Sequence, residues 1–246
     1  MVIRKVSRKV VAVETAEGAG ATVKRVFPTR NTMHFDPFVL LDEFFVKPPA
    51  GFPSHPHGGF EAITYMLEGG FHHADNIGND SIVLAGGLQK FTAGKGVVHS
   101  EMPGTKGLNR GLQLWIRLPT RLHDLEPEYQ QVEPKDVPEK DSDGIHVRIV
   151  AGGESPVKLH TKITYLDVTL LPTHRFAYDV DPKANVFLYV LEGVLSISAS
   201  EIHEGEAGLL TLGDRVEATA KEKTRFVLIS GRPHEEPITL RGSFVY

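Results

Sequence analysis

The chain contains no cysteine, so disulfide bonds and thiolate metal sites are excluded and we expect a reducing compartment. It also lacks an apolar run of about 18 residues, the length that a membrane-spanning helix needs. The basic N-terminal stretch MVIRKVSRKVVAVET has no apolar segment long enough for a signal peptide. We therefore expect a soluble cytoplasmic protein that binds no membrane, with the nucleus as a second location if the source is eukaryotic.

An excess of positive charge is absent as well. The net charge is −4 and the isoelectric point is about 6.3. No global positive field is present to hold a nucleic-acid backbone, so we expect no direct nucleic-acid binding. With 41% hydrophobic and 24% charged residues, the composition is that of a globular protein.

Long helical periodicity with caps is missing, and short strand-like runs take its place. These runs are rich in β-branched and aromatic residues and are bounded by Gly, Pro, Asn or Asp. They include KVVAVET, FVLLDEFFV, AITYMLEG, LQLWIRLP, HVRIVAG, TYLDVTLL, VFLYVLEG and FVLIS. Many short strands separated by turns predict an all-β sandwich or barrel.

Residues 121–143 interrupt this pattern with three prolines and eleven charged residues, eight of them acidic. Such a segment is either an exposed connection between two domains or a long loop within one. A short internal repeat favours two domains, because TYMLEGG (Thr64–Gly70) resembles LYVLEGV (Leu188–Val194). We predict an N-terminal domain over 1–125, a linker over 126–143 and a C-terminal domain over 144–246.

Histidine and glutamate recur at one-residue spacing in two glycine-rich segments. His55 and His57 lie in FPSHPHGGF, and His99 and Glu101 lie in GKGVVHSEM. Residues i and i+2 of an extended segment point the same way with Cα atoms roughly 6.5–7 Å apart, so their side chains can converge on one ion. Two such pairs on neighbouring strands would supply three nitrogens and one carboxylate oxygen. The spacing therefore predicts a metal site.

Glu61 is a competing carboxylate. It follows His57 by four residues, so it can face the same side, and geometry alone leaves either Glu61 or Glu101 as the ligand or as the group that orients a histidine. The remaining histidines lack such a setting, and adjacent His72 and His73 would point to opposite faces of a strand. We interpret these residues as surface or structural: His34, His72, His73, His123, His146, His160, His174, His203 and His234.

The second half of the repeat lacks the ligands. When the two halves are aligned as in the repeat, with Thr64 opposite Leu188, His55 and His57 correspond to Asp179 and Asp181. Glu61 then corresponds to Asn185. Residues that build strands occur in both halves, whereas the histidines occur only in the first. This asymmetry favours a site-specific role for the histidines.

Nearly the whole chain resembles the pirin family, a two-domain branch of the cupin superfamily. The matching segments are NTMHFDPFVLLDEF, HPHGGFEAITYMLEG, TAGKGVVHSEMP, GLQLWIRLP and FVLISGRPHEEPITLRGSFVY. The resemblance implies two cupin-type antiparallel β-barrels, jelly-roll-like and packed in tandem, with metal only in the N-terminal one. It also implies the metal ligands, which are His55, His57, His99 and Glu101.

Two positions depart from the family pattern. Many pirins have Arg after the HPH segment, where this chain has Gly58, so a charge beside the site is removed and we expect a changed substrate preference. Many also continue beyond the FVY-like ending, whereas this sequence stops at Tyr246. The resemblance leaves Glu61 as a candidate for orienting a histidine.

The resemblance implies a mononuclear non-haem Fe(II) protein, although copper, nickel and zinc bind such ligands at least as well, so other divalent transition metals are possible. As an enzyme it would be a quercetin 2,3-dioxygenase that opens the central ring of a flavonol with O₂ and releases carbon monoxide. Glu101 is the expected catalytic proton acceptor, with Glu61 as the second choice. The alternative is a non-catalytic, iron-dependent redox sensor that binds a transcription factor or metabolic enzyme. A third hypothesis is a β protein that the metal stabilises and that has no catalytic activity. We expect a monomer.

Overall fold

The computed structural model describes all residues, 1–246. It contains 24 β-strands, two short 3₁₀ helices (Thr120–Leu122 and Pro134–Asp136) and no α-helix, so the predicted all-β class is confirmed. None of its helices has the length and apolar character to span a membrane.

The chain divides into two units. The larger unit contains Val13–Val137, Pro156–Thr161 and His234–Tyr246. The smaller unit contains Met1–Ala12, Pro138–Ser155 and Lys162–Pro233.

The larger unit consists of a seven-stranded sheet, a four-stranded sheet and a terminal two-stranded ribbon, all antiparallel. In chain order its strands are β2 (Val13–Glu17), β3 (Ala21–Phe27), β4 (Phe38–Val46), β5 (Phe52–His57), β6 (Phe60–Glu68), β7 (Gly70–Asp75), β8 (Asp80–Leu84), β9 (Leu88–Thr92), β10 (Val97–Pro103), β11 (Asn109–Arg117), β12 (Glu128–Val132), β23 (Leu240–Arg241) and β24 (Phe244–Val245). The seven-stranded sheet has the order β12-β9-β6-β11-β4-β3-β2, and the four-stranded sheet has the order β5-β10-β7-β8.

The smaller unit also has a seven-stranded and a four-stranded antiparallel sheet. Its strands are β1 (Val6–Val11), β13 (Glu139–Ser142), β14 (Ile145–Ala151), β15 (Ile163–Leu170), β16 (Arg175–Asp179), β17 (Asn185–Glu192), β18 (Val194–Ile197), β19 (Ser200–His203), β20 (Glu206–Leu210), β21 (Arg215–Ala220) and β22 (Thr224–Gly231). The two sheet orders are β1-β20-β17-β22-β15-β14-β13 and β16-β21-β18-β19.

The two units share one topology. Read in order, each strand of one seven-stranded sheet has a counterpart at the same place in the other, and the four-stranded sheets match in the same way. The repeated segments TYMLEGG and LYVLEGV begin in β6 and β17, which hold the same central position in their sheets. The repeat therefore reflects two copies of one fold.

The units do not follow the chain in the simple order of the predicted ranges 1–125 and 144–246. Met1–Ala12 belongs to the smaller unit because β1 pairs with β20, and His234–Tyr246 belongs to the larger unit. The predicted linker 126–143 is built into sheets as well, since β12 pairs with β9 and β13 pairs with β14. Backbone pairing at sheet edges accounts for the places of β1, β12 and β13, because an unpaired edge strand exposes a row of donors and acceptors.

The interiors of the two units differ in character. The smaller unit is filled by one continuous apolar cluster that includes Phe176, Leu188 and Phe226. The larger unit has an apolar cluster around Phe44 and Phe71 and another around Phe60, Phe91 and Val245. Unlike that of the smaller unit, its interior also holds buried His57, His73, His99 and Glu101. The polar interior of the larger unit therefore marks the candidate functional site.

Candidate metal centre

Strand register brings the candidate residues together. In the four-stranded sheet β10 lies between β5 and β7, and His99 on β10 is directly opposite His55 on β5. On the other side Glu101 is directly opposite His73 on β7. Because side chains alternate along a strand, His99 and Glu101 both point inward while Val98 is exposed.

His55, His57 and His99 form one group. One ring nitrogen from each lies within 4.8 Å of the others, and the ring centroids are 4.6–4.9 Å apart. This arrangement agrees with the one-residue spacing of the HPH segment. The three predicted histidines are thus brought to one place.

Each of these three rings has a partner for Nδ1. The Nδ1 of His55 is 2.6 Å from the carbonyl oxygen of Pro53, and that of His57 is 3.1 Å from the carbonyl oxygen of Ser243. The Nδ1 of His99 is 3.4 Å from Nδ1 of His73. Carbonyl oxygens only accept, so Nδ1 of His55 and His57 carries the proton and Nε2 keeps its lone pair.

This donor set fits a divalent metal ion. The Nε2 atoms of His55 and His99 are 3.2 Å apart, and two nitrogens that share one ion at about 2.0–2.1 Å lie roughly 2.8–3.4 Å apart in right-angled to tetrahedral arrangements. Two lone pairs facing each other at this distance repel unless a cation or proton lies between them. Imidazole nitrogens suit zinc, copper, iron and nickel.

Burial keeps His57 and His99 neutral, which is the form that binds metal. Aromatic rings surround His57, with Phe60, Phe91 and Trp115 at centroid distances of 5.1, 5.8 and 4.8 Å. Burial, with a smaller contribution from His55, lowers the pKa of His57 to about 3. Burial and the neighbouring histidines also hold the pKa of His99 well below its usual range.

Glu101, the fourth predicted ligand, lies beside His99 in a second group that includes His73. Its Oε1 accepts hydrogen bonds from Thr64 (3.0 Å) and Gln89, and its Oε2 accepts one from Gln113 (3.1 Å). Burial raises the pKa of Glu101 to about 7, although these three hydrogen bonds oppose the rise. The carboxyl group of Glu101 is therefore positioned by neutral hydrogen-bond donors. His99 belongs to both groups of possible metal ligands.

His73 is the residue that sequence reasoning missed. The sequence alone predicts a surface or structural residue here. In the structure His73 is 1% exposed, its ring stacks on Tyr129 at a centroid distance of 4.5 Å, and it faces His99. The adjacent His72 points outward. The alternation from buried Phe71 could have indicated it, because residues i and i+2 of a strand share a face. The other histidines of that set lie outside both groups.

Glu61 does not face the histidines. Its carboxylate accepts hydrogen bonds at 3.0 Å from the backbone N–H groups of His160 and Thr161, and it lies 3.5 Å from Nζ of Lys90. It anchors the Pro156–Thr161 segment within the larger unit. The expectation that Glu61 orients a histidine or accepts a proton is not supported by these contacts.

The C-terminal segment forms part of the site, which no local motif indicated. Besides the contact of Ser243 with His57, the Ser243 hydroxyl donates to the carbonyl of Pro56 (2.6 Å), and the Val245 N–H donates to the carbonyl of Gly58 (2.9 Å). A Cβ on Gly58 would lie 2.8 Å from the ring of Phe244. The absence of a side chain at Gly58 therefore makes room for Phe244.

A cavity of about 650 Å³ opens beside the histidines, within the size range of small-molecule sites. His55, His57, Glu101 and Gln113 lie on its wall. The rest of the lining is mainly apolar and aromatic, and it includes Phe44, Phe52, Phe71, Trp115 and Leu240.

A charged cluster of Arg25, Asp42 and Glu17 interrupts this lining. Arg25 on β3 donates from Nε to Oδ1 of Asp42 (2.9 Å) and from Nη2 to Oδ2 of Asp42 (2.6 Å) and Oε2 of Glu17 (2.7 Å). Its Nη1 takes no part in these bonds. The wall of the cavity thus combines apolar aromatic side chains, a polar histidine–glutamate end and an arginine–carboxylate cluster.

The fold and site together define a two-domain cupin protein with a candidate metal centre in one domain. A family described as Pirin matches residues 20–116, and one described as Pirin C-terminal cupin domain matches residues 165–246. The chain belongs to the pirin family.

Relatives and solved structures agree with this assignment. Pirin-like protein 2 of Arabidopsis thaliana is 42% identical over 99% of this chain and 80% of the relative. Pirin of Homo sapiens is 36% identical over 98% of this chain and 87% of the relative. The crystal structure of a quercetin 2,3-dioxygenase from Acinetobacter baumannii is similar with a TM-score of 0.92 and 28% identity, covering 99% of this chain and 92% of that one. The expected two-domain cupin fold is confirmed.

Proposed function

We propose that the chain is a metal-dependent dioxygenase of the quercetin 2,3-dioxygenase type, which opens the central ring of a flavonol with O₂ and releases carbon monoxide. The proposed ion is Fe(II), held by His55, His57, His99 and Glu101. The observation that carries this proposal is the convergence of three imidazoles, two of them buried and each with Nδ1 engaged, beside a cavity large enough for a small molecule. The similarity to the Acinetobacter baumannii dioxygenase supports the reaction class.

Imidazole and carboxylate ligands with open positions suit non-haem Fe(II) and dioxygen chemistry. When bound, the ion supplies a Lewis acid that lowers the pKa of a substrate hydroxyl and a redox centre for O₂. The protein contributes the dry, shaped cavity and the fixed ring orientations. Precise positioning of two reactants in such a cavity lowers the entropic part of the barrier.

Glu101 is the proposed proton acceptor for the flavonol hydroxyl. Without a bound ion, burial raises the pKa of Glu101 to about 7, so a Glu101 carboxylate that has released the ion can accept a proton and return it at neutral pH. Its Oε2 accepts one hydrogen bond in the protein, from Gln113, whereas Oε1 accepts two. We assign the incoming proton to Oε2, which has the greater remaining capacity.

The cavity wall suits a flat aromatic substrate with several oxygen atoms. Phe44, Phe71 and Trp115 line the cavity and make its wall aromatic and apolar, which suits the rings of such a substrate. Arg25 lines the same wall, and its Nη1, which takes no part in the bonds to Asp42 and Glu17, is a donor suited to a hydroxyl, carbonyl or phenolate oxygen. This combination supports a polyphenol such as a flavonol.

The test is to load the purified chain with Fe(II) without oxygen, mix it with quercetin and then admit O₂. We expect the flavonol absorption band to disappear and carbon monoxide to be released in equal amount. Substitution His57→Ala should abolish both metal retention and turnover, while His72→Ala, at an exposed histidine of the same unit, should change neither.

Glu101 is tested separately with Glu101→Gln. We expect this variant to lose most of the ring cleavage, and a variant that retains metal and full activity would eliminate the proton-transfer role. Iron-loaded wild-type protein that leaves quercetin intact would contradict the dioxygenase proposal and favour the redox-sensing regulator.

A further inference from the structure

Behind His99 lies a second buried pair, His73 and Asp75, which has no part in the proposed reaction. Both side chains are 1% exposed. They occupy β7, where antiparallel register sets Asp75 opposite His99 and His73 opposite Glu101. A buried histidine–carboxylate pair beside a candidate metal ligand calls for a physical explanation, because burying such groups costs free energy unless they are paired.

A line of successive contacts runs from Asp75 through His73 to His99. Nε2 of His73 is 2.9 Å from Oδ2 of Asp75, and Nδ1 of His73 is 3.4 Å from Nδ1 of His99. On the far side of His99, Nε2 is 3.2 Å from Nε2 of His55. The order along this line is therefore the Asp75 carboxylate, the His73 imidazole and the His99 imidazole, whose Nε2 faces the proposed metal position.

Hydrogen-bond chemistry gives the line a direction. An ionised carboxylate only accepts, so His73 carries its proton on Nε2. A neutral imidazole has a single N–H, which leaves Nδ1 of His73 as an acceptor, and the N–H facing it must then belong to Nδ1 of His99. His99 is consequently left with its lone pair on Nε2, which faces His55.

The loop after β7 holds the Asp75 carboxylate, where the line begins, in place. Oδ1 of Asp75 accepts the backbone N–H groups of Ile77 (3.1 Å) and Asn79 (2.9 Å), and Oδ2 also accepts the Asn79 side-chain amide (2.8 Å). The His73 ring stacks on Tyr129, which restrains its rotation. Neither member of the pair can turn without breaking several contacts.

We propose that Asp75 and His73 are positioning residues that fix the tautomer and ring orientation of His99, so that His99 offers Nε2 as a ligand. This inference rests on the proposed metal site. Metal-binding histidines commonly donate the other ring N–H directly to a carboxylate or carbonyl, as His57 does here to Ser243. For His99 a second imidazole is inserted between the ligand and the carboxylate.

A different role for His73 predicts different behaviour. His73 also belongs to the group with His99 and Glu101, so it could itself bind the ion. In that case its Nδ1 would have to leave His99 or its Nε2 would have to leave Asp75. The substitution His73→Asn separates the two roles, because the asparagine side-chain oxygen can take the place of Nδ1 as an acceptor while no ring nitrogen remains.

The test uses Co²⁺ as the probe, with affinity measured by competition against a chelator. We expect His73→Phe, which keeps the stacking on Tyr129 but removes the acceptor, to weaken Co²⁺ binding about 10–100-fold. Asp75→Asn should have a similar effect, because an amide donor facing Nε2 reverses the tautomer of His73. His73→Asn should bind within a few-fold of wild type.

The chain offers a matched control in His72→Phe. His72 is the neighbouring residue on β7 and bonds to Asp80 at 2.6 Å, but it points outward and is 38% exposed. Its substitution should leave Co²⁺ affinity within a factor of two of wild type. Thermal unfolding of each variant without metal checks that it folds.

Proton NMR of the Co²⁺-loaded protein gives a readout that needs no substitution at His73. Ring N–H protons of bound imidazoles are shifted far outside the normal range, and we expect three such signals, with that of His99 protected from solvent exchange by His73. Asp75→Asn should remove or strongly shift this signal alone.

The outcomes are distinct. Wild-type protein that binds no Co²⁺ would refute the metal site itself. Wild-type binding with unchanged affinity in His73→Phe and Asp75→Asn would overturn only the positioning role. A His73→Asn variant as weak as His73→Phe, with one shifted N–H signal missing, would replace the positioning role by direct ligation.

Discussion

The Nδ1 atom of His57 lies 3.1 Å from the carbonyl oxygen of Ser243, although 186 residues separate them in the chain. The hydroxyl of Ser243 also bonds to the carbonyl of Pro56, so the same residue holds both the histidine and the strand that carries it. The orientation of one proposed ligand therefore depends on the last residues of the sequence.

Metal binding should stabilise the fold. A ligand that binds only the folded state at 100 times its dissociation constant adds about 2.7 kcal/mol to the free energy of unfolding. We expect Co²⁺ to raise the melting temperature of wild type and a chelator to reverse the rise. The upward shift should vanish in His57→Ala and persist in His72→Ala. An equal shift in His57→Ala would argue against the proposed ligand.

Gly59→Ala should detach the C-terminal segment from the site. Gly59 has φ +85°, and an added Cβ would fall within the contact distance of the Val245 carbonyl oxygen. Left-handed backbone alone costs a non-glycine residue roughly 1–2 kcal/mol. Gly78→Ala is the control, because Gly78 has φ +102° with no atom within 4 Å of the added Cβ.

The measurements are thermal unfolding and limited proteolysis of the C-terminal segment. We expect Gly59→Ala to lose more stability than Gly78→Ala and to expose residues near Val245 to cleavage. Equal losses in the two variants would mean that the contact with Val245 contributes little.

Arg25→Met should destabilise the protein because it leaves Asp42 without its partner. Asp42 is 4% exposed, and both of its oxygens accept from Arg25. Removing one member of a buried ion pair costs about 3 kcal/mol, since the remaining charge is uncompensated. Urea unfolding at neutral pH should show this loss, and the double variant Arg25→Met/Asp42→Leu should recover most of it. A double variant that is less stable than Arg25→Met would contradict this explanation.

Glu236 should make the stability of the larger unit sensitive to acid. Hydrogen bonds from the backbone N–H of Thr120 (2.9 Å), from Arg117 (2.7 Å) and from the Thr120 hydroxyl lower the pKa of Glu236 from 4.5 to about 2. The unfolded chain binds this proton first as the pH falls. The contribution to stability is therefore complete above pH 4.5 and is lost between pH 4.5 and 2.

Comparison with Glu236→Gln isolates this contribution. The variant should show a flatter decline of unfolding free energy than wild type in that pH window, with the gap between them closing toward low pH. The control is Glu235→Gln, because Glu235 is held through its backbone N–H to Asp36. A variant curve parallel to wild type throughout would rule out Glu236 as the source.

The sequence predicted the all-β class and the HPH and HSE pairs, because strand alternation is a local rule. Residues i and i+2 share a face whatever the rest of the fold does, so His55 with His57 and His99 with Glu101 could be paired from spacing alone. The repeat likewise predicted two similar domains, because β6 and β17 keep the same residues at the same central position.

Local spacing does not specify which strands become neighbours, and the remaining features of the site depend on that. Pairing of β10 with both β5 and β7 places His99 between His55 and His73. Glu61 lies on a different strand, β6, and is separated from the histidines. The exchange of chain ends between the units and the contact of Ser243 with His57 are pairings of residues far apart in sequence. The sequence by itself determined which side chains share a strand face, and only the tertiary structure decided which faces meet, because backbone hydrogen bonds between distant segments set the register.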